Sequence, residues 1–286
     1  MNKKYAIFTM DVERFKDTDC ISASGIHVDD DMLDGFDEYI KILDKHGIKS
    51  TLFTVGNLAP KLADQLHPLI EDGHELAMHS FRHIPPMSIS VEEFREKTAA
   101  AKNRMEELFG QAVVGFRAPC FSMDEQRLDV LKELGFRYDS SHLDFRAARH
   151  TVKLHLKDFR ELRKGVFRKD GFYEFSIPKE KVFGHNFPIS GGGYVRISHW
   201  GFIKALIKHY IHKNDYYVFY LHPFELTKKK LPVLKKLKGY DQYYIKQGVR
   251  NYGRKIERII QMLKKSGYEF ITFNQMVQIM DNENNG

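Results

Sequence analysis

Lys4-Tyr5-Ala6-Ile7-Phe8-Thr9-Met10 runs straight into Asp11-Val12-Glu13, a short apolar stretch closed by two carboxylates. Such a run predicts a buried strand with acidic side chains at its carboxyl end. Met32, Leu33, Phe36, Ile40 and Leu43 then fall at helical spacing until Gly47 stops the helix, and Ser50-Thr51-Leu52-Phe53-Thr54-Val55 is apolar and β-branched again. The order repeats, with helices over 58–70, 91–109 and 124–134 and strands over 74–78, 112–116 and 136–139. Helices over 199–212, 250–265 and 274–280 and strands over 216–221 and 268–272 restore the rhythm later. Alternation of this kind implies an α/β fold with parallel pairing, in which functional groups collect at the carboxyl ends of the strands.

The alternation lapses over 144–197, where Gly171, Pro178, Gly184, Pro188 and Gly191-Gly192-Gly193 separate short apolar runs. That stretch reads as an inserted, hairpin-rich region over one rim. No Ser- or Pro-rich linker divides the 286 residues, so one elaborated domain over 1–286 is expected rather than two. Hydrophobic residues at 42% and charged residues at 29% are globular values. No stretch reaches the roughly 18 apolar residues of a membrane-spanning helix. The opening residues show no small-residue cleavage pattern, and only Cys20 and Cys120 are present, so a soluble, cytoplasmic protein without a disulfide framework is expected.

The net charge of +7 is uneven, with Lys228-Lys229-Lys230, Lys235-Lys236 and Lys238 crowded together. A basic loop over 227–248 follows. Its plain reading is a solvated surface; its functional reading, carried by 228–238, is peripheral contact with a membrane's inner face or with an anionic glycan. Nucleic acid is not an expected partner, because neither zinc-finger spacing, nor an RNP-type aromatic motif, nor a phosphate-cradling glycine loop accompanies the charge.

Four clusters sit where strands should end: Asp11-Val12-Glu13, His79-Ser80-Phe81-Arg82-His83, Arg117-Ala118-Pro119 and Leu221-His222. Each alone could cap a helix or fill a core. Their shared rim points to a site. His79 and His83 are four apart, a spacing that sets two imidazoles on one side of a helical turn. With a carboxylate they form a two-His, one-carboxylate metal site with positions left open for water and substrate. Asp11 and Glu13 alternate onto one face of an extended strand, so one can bind the ion while the other takes a proton. Cys120 beside Pro119 raises the question of a thiol nucleophile, but nothing around it argues for a depressed thiol pKa.

The ordered set resembles the polysaccharide deacetylases, the NodB-homology carbohydrate esterases of family 4. Thr9-Met10-Asp11-Val12-Glu13 is similar to their first motif, His79-Ser80-Phe81-Arg82-His83 to H-S-x-x-H, Arg117-Ala118-Pro119-Cys120 to R-x-P-x, and Leu221-His222 to the L-H motif. The resemblance covers nearly the whole chain and implies a distorted (β/α) barrel. It implies Asp11 as catalytic base, Glu13, His79 and His83 as ligands of one divalent ion, zinc foremost, and Arg117 as the residue holding Asp11. It also implies His222 as general acid, Asp139 as the residue orienting it, and the Cys120 backbone N–H as oxyanion donor. The usual adjacent Asp pair is replaced here by Asp-Val-Glu, as in a subset of the family.

Residues 184–196 and 219–226 look like the branch linked to exopolysaccharide and cell-surface glycan assembly. There Tyr194 is expected to stack on a sugar, Arg196 to meet an anionic group, and Glu225 to be a rim binding group or a cap. The implied activity is de-N-acetylation of an N-acetylated sugar in a surface glycan, polysaccharide or precursor: ion-activated water attacks the acetamide, Asp11 takes a proton and His222 protonates the departing amine. The alternatives are an amidohydrolase on a small cyclic ureide and a catalytically silent glycan-binding barrel.

Overall fold

A computed structural model describes residues 3–145, 154–232, 237 and 239–285. Strand β1 (Lys4–Val12) is followed by a one-turn helix α1 (Asp19–Ser22) and by α2 (Asp34–His46). Then come β2 (Thr51–Thr54), α3 (Ala63–Glu71), β3 (Glu75–Met78), α4 (Val91–Phe109), β4 (Gly115–Phe116), α5 (Glu125–Glu133) and β5 (Tyr138–Asp139). Strands β6 (Arg160–Arg163), β7 (Val166–Lys169), β8 (Phe172–Phe175), β9 (Lys179–Val182) and β10 (His185–Pro188) follow without an intervening helix. After them lie α6 (Gly192–Ile197), α7 (Trp200–Lys213), β11 (Tyr216–Leu221), α8 (Gly239–Lys246), α9 (Val249–Lys265), β12 (Tyr268–Phe270) and α10 (Phe273–Asn285).

Local chemistry fixes the helix ends. Gly47, at φ +61°, closes α2 in the left-handed conformation that favours glycine. The Ser90 hydroxyl accepts from the Glu93 N–H at the start of α4, and the Asp124 carboxylate accepts from the Arg127 N–H at the start of α5. Helix α9 carries a continuous stripe of Val249, Tyr252, Ile256, Ile259, Ile260 and Leu263, all buried. Each such side chain contributes about 1.5–3 kcal/mol on burial, which explains why so charged a helix lies firmly on the sheet.

β1 organises the sheet. Its residues 5–10 pair in parallel with β11, and on its other side β2 takes residues 9–12 while β12 takes residues 4–6. β3, β4, β5 and β8 continue in parallel, and β7 and β6 turn back antiparallel, giving a curled, distorted (β/α) barrel. Ser190 and Gly191 reach the free edge of β11, where the Tyr220 N–H donates to the Ser190 carbonyl at 2.8 Å. Alternation along β1 divides the molecule into two cores. Ala6, Phe8, Met10 and Val12 pack under the helices, while Tyr5 and Ile7 face an interior shared with Phe53, Tyr138, Phe175 and Tyr216. Phe273 at the head of α10 plugs that interior from the amino ends of the strands, its N–H donating to Thr51 Oγ1 at 3.0 Å. Farther along the inner face, Thr9 and Asp11 replace the apolar residues, so the interior turns polar only toward the carboxyl ends.

Several elements differ from the sequence expectation. The helix over 58–70 divides into a 3-10 turn, Ala59–Leu62, and α3, with prolines at positions 60 and 68 each lacking an N–H for the ladder. The strands over 112–116 and 136–139 shorten to two residues each, at a crowded point where a side chain on Gly115 would strike the Tyr138 ring. Within 144–197, β8 lies parallel beside β5 inside the main sheet, whereas β9 and β10 form a separate hairpin. The triple glycine leads into α6, and the stretch read as a basic loop contains α8. Lys235, Lys236 and Lys238 lie outside the described residues. No helix among the described residues is long and apolar enough to cross a membrane.

Candidate active site

The carboxyl ends of β1, β3, β4 and β11 surround a cavity of about 420 Å³. Asp11, Glu13, His79, His83, Cys120, Tyr194 and His222, all singled out in the sequence, line it. Asp11 is the last inward-facing residue of β1. Past the strand, the Glu13 N–H donates to the Asp11 carbonyl at 3.0 Å, a tight turn that returns Glu13 to the same rim.

Glu13 Oε2 lies 2.5 Å from His83 Nε2 and 3.5 Å from His79 Nε2, with all three side chains buried. His79 follows β3 directly, and its Nδ1–H donates to the Arg117 carbonyl at 2.8 Å. That bond orients the ring and leaves Nε2 facing Glu13. The segment from His79 to His83 is an irregular turn, not the helical one expected: Ser80 and His83 both hold positive φ, 61° and 55°. Left-handed non-glycine residues cost about 1–3 kcal/mol each. The cost is offset by backbone bonds from the Gly56 and Asn57 N–H groups to the Ser80 and Phe81 carbonyls. Burial opposes charge on Glu13, but the imidazoles of His83, His222 and His79 outweigh it and hold the carboxyl well below its usual range. His83 moves the other way: Glu13 overcomes burial and raises its pKa.

Arg117, wholly buried, spends its donors inside the barrel. Nη1 donates to Thr9 Oγ1 and Asp11 Oδ1, both at 2.8 Å, while Nε and Nη2 donate to the Ser140 carbonyl and hydroxyl. The guanidinium also sits 4.1 Å above the Phe53 ring. One Asp11 oxygen is therefore fixed, and the other lies 3.9 Å from His222 Nε2.

His222 follows β11, and the 3-10 turn Pro223–Leu226 brings Glu225 back beneath it. Glu225 Oε2 lies 3.2 Å from His222 Nδ1 and accepts the His222 N–H at 3.1 Å. Burial disfavours the imidazolium, yet the carboxylates of Glu13, Glu225 and Asp11 together raise His222 to about 9. Three expectations are corrected by this arrangement. Asp139 does not orient His222. It accepts from the Ser141 hydroxyl at 2.8 Å and N–H at 3.1 Å, and Ser141 Oγ in turn accepts from the Ala118 N–H, so Asp139 braces the Arg117-Ala118-Pro119 turn. Glu225 is not a rim group, being fully buried, but the cap of the turn that the sequence also allowed, its carboxylate accepting the His222 N–H. Nor does Arg196 meet a ligand: it is fully buried, with Nε donating to Glu225 Oε1 at 2.8 Å and Nη2 to the Tyr244 carbonyl at 2.7 Å. Removing one partner of such a pair strands a buried charge, which explains why both interior positions are ionic.

Cys120, at φ 55°, stands in the 3-10 turn Pro119–Phe121. Burial, then the Asp19 and Glu13 carboxylates, push its thiol pKa up, the opposite of a nucleophile's requirement. Residues not singled out from sequence complete the wall: Asp19 and Cys20 from α1, Tyr220 from β11, and Tyr240, Asp241 and Tyr244 from α8. The Tyr240 and Tyr244 rings stack at 6.5 Å, an i, i+4 pair that was legible once the stretch was known to be helical. Among the described residues, no Lys or Arg lines the cavity.

The polysaccharide deacetylase family profile matches residues 17–138, and that of a domain of unknown function, DUF3473, matches 155–278. The first match includes His79, His83 and Arg117. The Helicobacter pylori peptidoglycan deacetylase is 25% identical over 113 residues, 39% of each chain, and the chain spans only about two fifths of the length of that relative. A crystal structure from Mycobacterium smegmatis described as a polysaccharide deacetylase superposes with a TM-score of 0.60 at 18% identity, covering 99% of this chain and 92% of that one. An allantoinase shares the fold equally, with a TM-score of 0.60 at 14% identity, covering 96% and 89%. Sequence motifs, barrel and profile agree: residues 17–138 match the polysaccharide deacetylase family, and the whole chain takes up the distorted barrel of the NodB-homology deacetylases.

Proposed function

We propose that the chain is a single-domain, metal-dependent de-N-acetylase that hydrolyses the acetamide of an N-acetylated sugar in a surface glycan or its precursor. The observation that carries this reading is the Glu13, His79 and His83 cluster, whose ligand atoms all lie within 4.8 Å of one another beside Asp11 and His222. Two imidazole nitrogens and one ionised carboxylate suit zinc and leave positions open, and the His79 bond to the Arg117 carbonyl is the outer contact such a ligand needs. Bound there, a divalent ion supplies Lewis-acid polarisation and acidifies water in the cavity.

The chain's own residues do the rest. Arg117 holds Asp11 turned toward the cavity, where Asp11 accepts the proton of the attacking water. His222, kept protonated by its carboxylate neighbours, donates to the leaving amine, and Glu225 fixes its ring. The Cys120 N–H serves the developing oxyanion. Tyr194, Tyr220, Tyr240 and Tyr244 offer apolar faces to sugar rings. A cytoplasmic site of action belongs to the same reading, with two unbridged thiols, Cys20 and Cys120, in its support.

Mass spectrometry of N-acetylated oligosaccharides after incubation with the zinc-loaded protein tests the reading. Loss of acetyl groups with matching gain of free amine is expected. Hydrolysis of a cyclic ureide with the sugars left intact would overturn it in favour of the amidohydrolase alternative.

A further inference from the structure

Outside the barrel, α2, α9 and the segment after Leu226 enclose a second cavity of about 740 Å³. Five cations line it, Lys228, Lys229, Lys230, Lys246 and Arg250, against one carboxylate, Glu38. Glu38 is already engaged by Lys41 at 2.9 Å and Lys228 at 2.6 Å, and Lys229 is paired with Asp30 at 2.8 Å. Lys230, Lys246 and Arg250 form no ion pair among the described residues. These three come from two separate segments and converge on one concavity, where their mutual repulsion is not offset by an ion pair among the described residues. Helix α9 adds to the field. Its first two residues, Val249 and Arg250, line the cavity, and Gly248 before them provides no side-chain cap for the first turn.

The floor is apolar, formed by Ile42, Leu226, Leu231 and Val249. A simple solvated cationic face has no need of a hydrophobic floor inside a concavity. Cations around an apolar base match a phosphate head joined to a hydrocarbon. Leu226 and Thr227 come four and five residues after His222, so the second cavity is backed by the same 3-10 turn that carries the proton donor.

We infer that this cavity binds the phosphate head group of an anionic amphiphile. The site is separate from the hydrolytic centre and stands whether or not the de-N-acetylase reading holds. The same chemistry is offered by a membrane lipid and by a free phosphate ester. Two probes distinguish them: inorganic pyrophosphate, followed by calorimetry, and phosphatidylcholine vesicles with or without phosphatidylglycerol, followed by co-sedimentation.

The variant is the triple charge reversal Lys230→Glu, Lys246→Glu, Arg250→Glu, with Arg104→Glu, Lys204→Glu, Lys208→Glu as a control of equal net charge elsewhere on the surface. Wild type and control are expected to bind pyrophosphate, phosphatidylglycerol vesicles or both. The cavity variant should bind on the order of 100-fold more weakly, at about fivefold for each of the three cations near an anionic surface. Its melting profile and its turnover of a short soluble substrate should be unchanged. Pyrophosphate binding alone supports the site with a soluble phosphate ester as its ligand; vesicle binding supports a lipid. No binding of either probe, or equal losses in the variant and the control, would overturn the inference.

Discussion

His222 is the residue whose surroundings decide its chemistry. Its imidazolium is supported by Glu13, Glu225 and Asp11 against the penalty of burial, to a pKa of about 9. Glu225→Gln removes the carboxylate on Nδ1, so the protonated form loses support and its pKa falls. The basic limb of the kcat–pH profile should therefore move to lower pH, while Asp139→Asn, acting on the Ala118 turn, should leave that limb in place. A profile unmoved in Glu225→Gln but shifted in Asp139→Asn would restore the role the sequence motif implies for Asp139. The difference shows where motif reading stops. His79, His83, Asp11 and His222 were legible because their backbone positions follow from strand ends. The partner of His222 was not, because it depends on a 3-10 turn that folds residue 225 back under residue 222. Asp139 and Glu225 are equally acidic in sequence, and only the chain path separates them.

Among the elements, α8 was the least legible, yet it forms part of the cavity wall. Lysines before it and a weak apolar period hid a helix that closes one side of the cavity with Tyr240, Asp241 and Tyr244. Its last carbonyls, at Tyr244 and Ile245, accept from Arg196, whose Nε holds Glu225. One guanidinium thus caps the helix at the cavity wall and steadies the carboxylate beside His222. β1 and β11 were read within two residues of their observed bounds, since an unbroken apolar run between turn residues has few other solutions. β4 and β5 were overextended because pairing, not propensity, limits a two-residue strand. Tyr240 is 71% exposed and touches the cavity from its mouth. An aromatic contact of this kind is worth about 0.5–1.5 kcal/mol. Tyr240→Ala should raise KM a few-fold to about tenfold on an oligosaccharide with kcat nearly unchanged, as expected for binding common to ground and transition states. A large fall in kcat with KM constant would instead place Tyr240 at the reacting centre.

At the scale of the molecule, charge is segregated. The chain is net +7, yet the reaction cavity is lined by Asp11, Glu13, Asp19 and Asp241 with no Lys or Arg among the described residues, and cations gather on the outer face around α9. Beneath the cavity, Asp139 and Glu174 are buried side by side. Burial raises both, Asp139 to about 6, so the folded state retains a proton there that the unfolded chain releases near pH 4. A raised carboxyl pKa favours the fold at low pH, and this contribution is lost as pH rises from about 4 through the raised values of the pair. Glu174→Gln keeps an oxygen to accept the Ser141 and His142 N–H groups and removes one of the two charges. Calorimetric Tm should then decline less between pH 4 and 7 than in wild type; a steeper decline would show that the pair is not sharing a proton.

The most direct measurement is acetate release by chelated protein titrated back with zinc. Release from an N-acetylated oligosaccharide should rise with added metal and break at one zinc per chain. Asp11→Asn should bind the same single zinc yet release acetate about 10²- to 10⁴-fold more slowly, and His83→Ala should show neither binding nor release. Acetate release that survives chelation, or a His83→Ala protein that still holds one zinc tightly, would contradict the assignment of Glu13, His79 and His83 as the centre of the site.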